Sequence, residues 1–94
     1  IDRGVGGAVA SAISERLARV AQTNQILVVT HSPQVAARGA GHMLIAKSSD
    51  GTVTRTGVHA LDEGERREEI ARMLSGAEIT VEARAQAERL LERV

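Results

Sequence analysis

One histidine, His31, stands where this chain could use it for chemistry. It follows residues 26–30, an apolar run that predicts a buried strand, and it precedes Ser32 and Pro33, which are typical of a helix start. In an open α/β sheet, ligands bind at the carboxyl ends of strands, and helix amino termini favour phosphate. An imidazole there can donate a hydrogen bond or titrate near neutral pH. His31 is therefore a candidate phosphate contact, and the alternative is a strand-end histidine satisfied by backbone groups.

A second candidate is the glycine-rich opening of the chain, which runs from Asp2 to Gly7 and includes Gly4 and Gly6. Glycines before a helix permit a tight backbone and the close approach of a phosphate or of another chain. The pattern matches part of a glycine-rich nucleotide loop, but it is not a P-loop because no Gly-Lys-Ser/Thr follows. The alternative is an ordinary flexible turn.

The other chemistry-bearing side chains predict structural roles. His42 and His59 are expected to be structural or solvated, and the histidines lack the spacing of metal ligands in a chain without cysteine, so no metal site is expected. Helix capping explains Ser32. A self-contained hydrolase is disfavoured because no nucleophile or paired carboxylate accompanies His31.

Hydrophobic periodicity and turn residues predict the elements that position these candidates, in an α/β arrangement. Because residues 26–30 are apolar without a break, the strand should be covered on both faces. The predicted order is a helix over 7–22, the strand over 26–30, a short helix from Pro33, a hairpin of strands 42–47 and 52–58, and two carboxyl-terminal helices from residue 61 onward. The turn of the hairpin is predicted at Ser49-Asp50-Gly51.

The helical tail begins with its own signals. Asp62 and Glu65 resemble a capping box, and the charge run 63–69 predicts a solvated helix face. Two ion pairs at i,i+4 spacing are expected on that face: Glu63–Arg67 and Glu68–Arg72. The final helix is expected to dock onto the sheet of its own domain, and the alternative is a surface that binds a partner protein.

Composition limits the possible classes of protein. The chain has 94 residues, so it forms one domain or less, and its 12 basic and 12 acidic side chains cancel. A neutral chain without Phe, Trp or Tyr has neither the basic surface nor the stacking rings of most nucleic-acid binders. The absence of cysteine and of a long apolar run favours a cytoplasmic protein without a membrane partner.

Three segments in this order resemble the carboxyl-terminal end of the RecN family, bacterial ATPases of DNA double-strand-break repair and recombination that are related to SMC and ABC-type proteins. They are IDRGVGG at 1–7, ILVVTHSPQVAA at 26–37 and RREEIARMLSGAEIT at 66–80. The resemblance covers essentially the whole chain. Residues 30–37 and 66–80 are its most specific parts, whereas the glycine segment alone would not identify a family.

The resemblance implies a fold and roles for the two candidates. The fold would be a partial ABC-type ATPase head lobe, with residues 1–60 in the ATPase core and residues 61–94 as a helical tail on the same domain. His31 would be the switch histidine, which contacts the γ-phosphate of the nucleotide. Residues 2–7 would form the D-loop, which crosses between two heads. Its members are Asp2, Gly4, Gly6 and Gly7, with Asp2 and Gly4 as the main contacts.

The resemblance also implies cofactors and partners. The intact parent protein would bind ATP and Mg²⁺, whereas no cofactor is expected on this fragment alone. Its partners would be the amino-terminal lobe of its own head, a second head in a homodimer and, through the intact protein, DNA, with a cytoplasmic location at the nucleoid. Because the Walker A lysine, the Walker B acids and the signature loop lie upstream in the family, the parent would be an ATPase and this fragment alone would not be catalytically competent.

Another class of function stays open on the residues alone. The chain could be a small non-catalytic module that binds a partner protein through a βαβ-like core and a helical tail. Response of His31 to nucleotide would separate the two hypotheses. In either case, an unpaired side of the strand over 26–30 predicts self-association of the fragment, because exposed strand edges tend to pair with another chain.

Overall fold

The computed structural model describes residues 7–92, which form four helices and one two-stranded antiparallel sheet. The mixed α/β class and the order of helix, short helix, hairpin and two helices are confirmed. The elements are α1 (Gly7–Val20), α2 (Pro33–Arg38), β1 (Met43–Ser49), β2 (Thr54–Ala60), α3 (Glu63–Ser75) and α4 (Val81–Glu92).

Residues 26–30 differ from the prediction. The predicted strand over 26–30 is wrong: the sheet contains only β1 and β2, and residues 26–30 belong to no strand. Leu27 and Val29 are 77% and 73% exposed, while their neighbours are half-buried. The predicted burial on both faces is therefore wrong for the described residues. A run of apolar residues becomes a strand only when a neighbouring chain segment takes up its backbone hydrogen bonds.

Helices α2, α3 and α4 enclose the main core. Ile70 and Ala71 of α3, Ala37 of α2, and Ala83 and Ala87 of α4 are buried together. Small side chains on the facing surfaces let these helices approach closely, and Ile70 supplies the largest fully buried side chain among the described residues. The predicted docking of the last helix on the sheet is wrong, because α4 packs on α3 and α2 instead.

Helix α1 forms a smaller contact with α2. Ala10 and Ser14, one helical turn apart on α1, are buried, and so is Val35 on α2. The Ser14 hydroxyl donates a hydrogen bond to the Ser11 carbonyl at 2.8 Å, which satisfies this polar group inside the contact. Helix α2 therefore has packing partners on two sides, α1 on one and the α3–α4 pair on the other.

The hairpin forms from local signals. Asp50 accepts hydrogen bonds from the backbone amides of Thr52 and Val53 at 3.1 and 2.9 Å, and these bonds lower the pKa of its carboxyl. The pairing places Ile45 opposite Val58. Both side chains are more than half exposed. Within the described residues, β1 and β2 pack only against each other.

Charges on α3 form a different set of pairs from the one predicted. The capping box of Asp62 and Glu65 is confirmed by reciprocal hydrogen bonds of 2.8 and 3.0 Å. The arginines and glutamates that follow reach across to α4 or pair at i,i+3 spacing. The observed pairs are Arg67–Glu88, Glu68–Arg84 and Glu69–Arg72. The face of α3 predicted to be solvated is thus partly a contact surface with α4.

Candidate functional site

His31 is an exposed side chain in a turn that is fixed on both sides. The Ser32 amide donates to Thr30 Oγ1 at 3.0 Å, a bond that spans His31. Ser32 then caps α2, since its Oγ accepts from the Val35 amide at 3.5 Å and donates to Gln34 Oε1 at 3.0 Å. With Pro33 as the first helical residue, the backbone around His31 is defined while the imidazole stays accessible to a ligand.

The described end of the glycine segment lies beside this turn. A Cβ built on Gly7, the first residue of α1, would lie 3.7 Å from Gln34 Nε2. The two candidate segments of the sequence therefore approach each other at one end of the α1–α2 pair. Asp2, Gly4 and Gly6 lie outside the described residues, so their predicted role stays a prediction.

The other end of α2 is held by a residue that the sequence analysis missed. Arg66 Nη2 donates to the carbonyls of Ala36 at 3.0 Å, Ala37 at 3.2 Å and Gly39. These carbonyls lie at the carboxyl end of the helix, where backbone acceptors lack intrahelical partners and a cation is favoured. The charge run 63–69 predicts a solvated side chain at Arg66, whereas Arg66 is half-buried and bridges α3 to α2.

The electrostatics of Arg66 follow from this position. Burial lowers the pKa of its guanidinium, and the nearby Glu63 carboxylate opposes that shift. The spacing of Arg66 from the apolar residues of α3 could have indicated that its side chain faces the core. Arg66 stands four residues before the buried Ile70, so both belong to one face of α3. A basic residue on the apolar face of a helix indicates a specific partner more often than free solvation.

His42 lies next to Arg66, at the base of the hairpin. Its backbone carbonyl accepts from the Leu61 amide at 3.0 Å, and its Nδ1 is buried without a hydrogen-bond partner among the described residues. Burial first, and the Arg66 charge second, lower the pKa of the His42 ring, while Glu69 acts to raise it. His42 thus belongs to the joint between the hairpin and the helices. His59 is exposed on β2.

A shallow open groove of about 550 Å³ lies between the base of the hairpin and α3. Its apolar wall includes Leu44, Leu61 and Ile79, and its rim carries side chains that already form ion pairs, such as Arg67 and Glu68. His31 does not line it. Within residues 7–92, no three His, Asp or Glu side chains are grouped so that they could hold a metal ion, and no helix is long and apolar enough to cross a membrane.

Comparison with known proteins finds relatives that match the chain over nearly its whole length. The chain is 52% identical over 92 residues to the DNA repair protein RecN of Streptomyces coelicolor and 43% identical over 94 residues to that of Xylella fastidiosa, matches that cover 98% and 100% of this chain. It is also 50% identical over 76 residues to RecN of Deinococcus radiodurans. The chain spans only 16% and 17% of the length of the first two proteins. No model of a known protein family matches it.

Proposed function

We propose, from the premise that this chain is a RecN-like sequence, that it contributes the nucleotide-sensing edge of an ATPase head in DNA repair and recombination. His31 contacts the γ-phosphate of ATP. Residues 2–7 form the D-loop that meets a second head. The chain acts as part of a larger protein, since relatives of this sequence are about six times as long.

The observation that carries this proposal is the setting of His31. Its side chain is exposed, its backbone is fixed by Thr30 and Ser32, and Gly7 lies beside the same turn through Gln34. A phosphate sensor requires this combination, because the imidazole must reach a ligand while its backbone keeps a constant position.

His31 senses the phosphate through hydrogen bonding. A ring N–H of the imidazole donates to a γ-phosphate oxygen, and this contact is lost when the phosphate leaves. ATP with Mg²⁺, bound by the larger protein, supplies the phosphoryl chemistry, which depends on positioning and charge stabilisation. Loss of the His31 contact weakens the attraction between two heads, so hydrolysis would release them from each other.

This function has further partners. The chain packs against the amino-terminal lobe of its own head, the second head completes a homodimer, and DNA binds through the intact protein. A cytoplasmic, nucleoid-associated location follows from that role. The neutral charge of the chain supports a division of labour in which DNA contacts lie elsewhere in the protein.

The test uses Streptomyces coelicolor RecN in which this chain replaces the matching segment, here called the chimera. In the chimera, His31→Ala should lower kcat for ATP hydrolysis on the order of 10²-fold, the effect of removing one hydrogen-bond donor from a developing charge. His59→Ala, which removes another exposed histidine, is the matched control and should hydrolyse ATP like the parent. Equal turnover in the His31→Ala chimera and its parent would contradict the proposal.

One observation favours a second candidate function, a non-catalytic protein-interaction module. Met43, Ile45 and Val58 are exposed apolar side chains on the hairpin, and contiguous exposed apolar surface marks interaction sites. If this function is correct, Ile45→Asp should abolish partner binding while leaving ATP hydrolysis by the chimera unchanged. Self-association of the isolated chain stays a prediction, and light scattering showing a folded monomer at all concentrations would contradict it.

A further inference from the structure

We propose that Arg66 is a positioning residue for His31, acting through α2. The inference rests on the proposed function of His31. It adds to that function a residue of α3, whereas His31 lies just before α2. Arg66 fixes the carboxyl end of α2, and α2 fixes the turn that carries His31. Loss of this clamp therefore changes the placement of the imidazole without removing any group that touches nucleotide.

The first step of the argument concerns the length of α2. Pro33–Arg38 comprises six residues, and a helix this short does not hold its shape without external contacts. Its carboxyl-terminal carbonyls need donors. The Gly39 amide supplies one by donating to the Ala36 carbonyl at 3.3 Å, and Arg66 adds contacts to Ala36, Ala37 and Gly39. Arg66 therefore supplies hydrogen-bond donors to three carbonyls at the end of the helix.

The second step concerns transmission along α2. The Ala36 amide donates to the Ser32 carbonyl at 3.0 Å, so the residue held by Arg66 is bonded directly to the residue after His31. Ser32 is also bonded to Thr30 across the histidine. One helical turn and one tight turn thus connect the guanidinium contact to His31. A displacement of the carboxyl end of α2 should therefore also displace Ser32, because the two are joined by main chain with defined hydrogen bonds.

The third step concerns the chemistry of the side chain. A guanidinium presents several N–H donors in a fixed plane, whereas a lysine ammonium is a point charge on a flexible stem. All three carbonyls surround one nitrogen, Nη2, whose two N–H groups lie in the guanidinium plane and are shared among them, while Arg66 Nε is buried without a hydrogen-bond partner among the described residues. Arg66→Lys should therefore keep the favourable positive charge at the end of α2 but hold the helix less rigidly. Arg66→Gln should lose both the charge and the planar guanidinium donors.

The experiment is a double-mutant cycle on ATP hydrolysis by the chimera. Arg66→Gln should lower kcat by about 10-fold to 10²-fold, the cost of misplacing a catalytic contact from a distance, and Arg66→Lys should recover part of that loss. KM for ATP should change little. In the His31→Ala background, Arg66→Gln should lower kcat by less than about 2-fold, because residues that act through one contact are not additive.

Arg67→Gln is the matched control. It removes the neighbouring arginine of α3, whose guanidinium reaches Glu88 on α4 at 3.3 Å rather than α2, and it should leave kcat unchanged. Thermal unfolding of each variant reports whether the protein is folded. If Arg66→Gln does not fold, the same cycle is run with Arg66→Lys.

The outcomes separate the two proposals. If His31→Ala leaves turnover unchanged, the proposed function fails, and the role of Arg66 in it fails too. If His31→Ala lowers kcat but the Arg66 variants do not, or if the His31 and Arg66 effects multiply, only the positioning role is overturned. Non-additive loss of kcat at constant KM, with partial recovery in Arg66→Lys, supports the positioning role.

Discussion

The helical unit of α2, α3 and α4 and the hairpin of β1 and β2 contain isoleucines with opposite surroundings. Ile70 in α3 is 0% exposed, whereas Ile45 in β1 is 58% exposed. The helical unit combines an apolar core with side chains that bridge its helices. The hairpin has a complete ladder between its own strands, but within residues 7–92 it packs on no helix.

This difference separates what local signals can form from what packing stabilises. The Asp50 turn and the β-branched residues of β2 define the hairpin without burial. A two-stranded hairpin without a covered face is only marginally stable in water. The helices instead gain stability from mutual burial. We therefore expect mutations to divide by region, with large costs in the helical unit and small costs on the hairpin.

The sharpest test of this division is a pair of identical substitutions. Ile70→Ala should destabilise the chain by about 2–5 kcal/mol, since it leaves a cavity in a fully buried site. Ile45→Ala should fall within about 0.5 kcal/mol of the parent, as exposed substitutions do. Urea unfolding followed by helical circular dichroism measures both, because the chain has no aromatic residue for fluorescence.

The control for that pair is the slope of the unfolding transition. An unchanged dependence of unfolding free energy on urea shows that the native and unfolded states have kept their compactness. Equal losses from Ile70→Ala and Ile45→Ala would remove the proposed difference between the regions. A loss from Ile45→Ala alone would show that the hairpin, rather than the helical unit, limits stability.

Much of this fold could be predicted because its signals are local. Ser32 and Pro33 start α2, Asp62 and Glu65 start α3, and Asp50 makes the hairpin turn. Each of these features depends on residues within a few positions in the chain. The position of His31 before a helix was predictable for the same reason, and the structure adds the bonds that fix its turn.

The features that could not be predicted depend on which distant segments meet. The apolar run at 26–30 predicts a covered strand, yet strand formation depends on a partner segment that the run itself does not specify. The sequence does not show the partners of Arg66, because its acceptors lie 27–30 residues away. Arg67 likewise pairs across to α4 instead of within α3. In each case the residue type shows what kind of contact the side chain can make, but tertiary packing determines which partner it meets.

His42 tests the joint between the two regions, with an intermediate expected effect. Burial holds its pKa below 6.5, so between that lowered value and 6.5 the unfolded chain binds more protons than the folded chain. Stability should therefore rise with pH through this window and fall on acidification. Urea midpoints measured between about pH 8 and about pH 5 should show this slope, which His42→Gln should reduce.

The neighbours of His42 give the control for that measurement. Arg66 disfavours the charged ring and Glu69 favours it, while Glu69 itself is paired with Arg72. Replacing the exposed His59 by Gln should leave the pH slope of the parent intact. A slope that persists in His42→Gln and disappears in His59→Gln would place the titrating group on the hairpin strand and would show that the joint is not pH-sensitive.

The smallest expected effect belongs to the ion pair between Arg67 and Glu88, which joins the two long helices of the helical unit. Both side chains are about half exposed, and exposed pairs contribute roughly 0.2–1 kcal/mol, less at high salt. A double-mutant cycle of Arg67→Gln and Glu88→Gln should give a coupling energy in that range that decreases with added salt. Arg55→Gln on the hairpin is the charge-matched control. A coupling energy comparable to the cost of Ile70→Ala would mean that charge pairing, more than burial, distinguishes the helices from the hairpin.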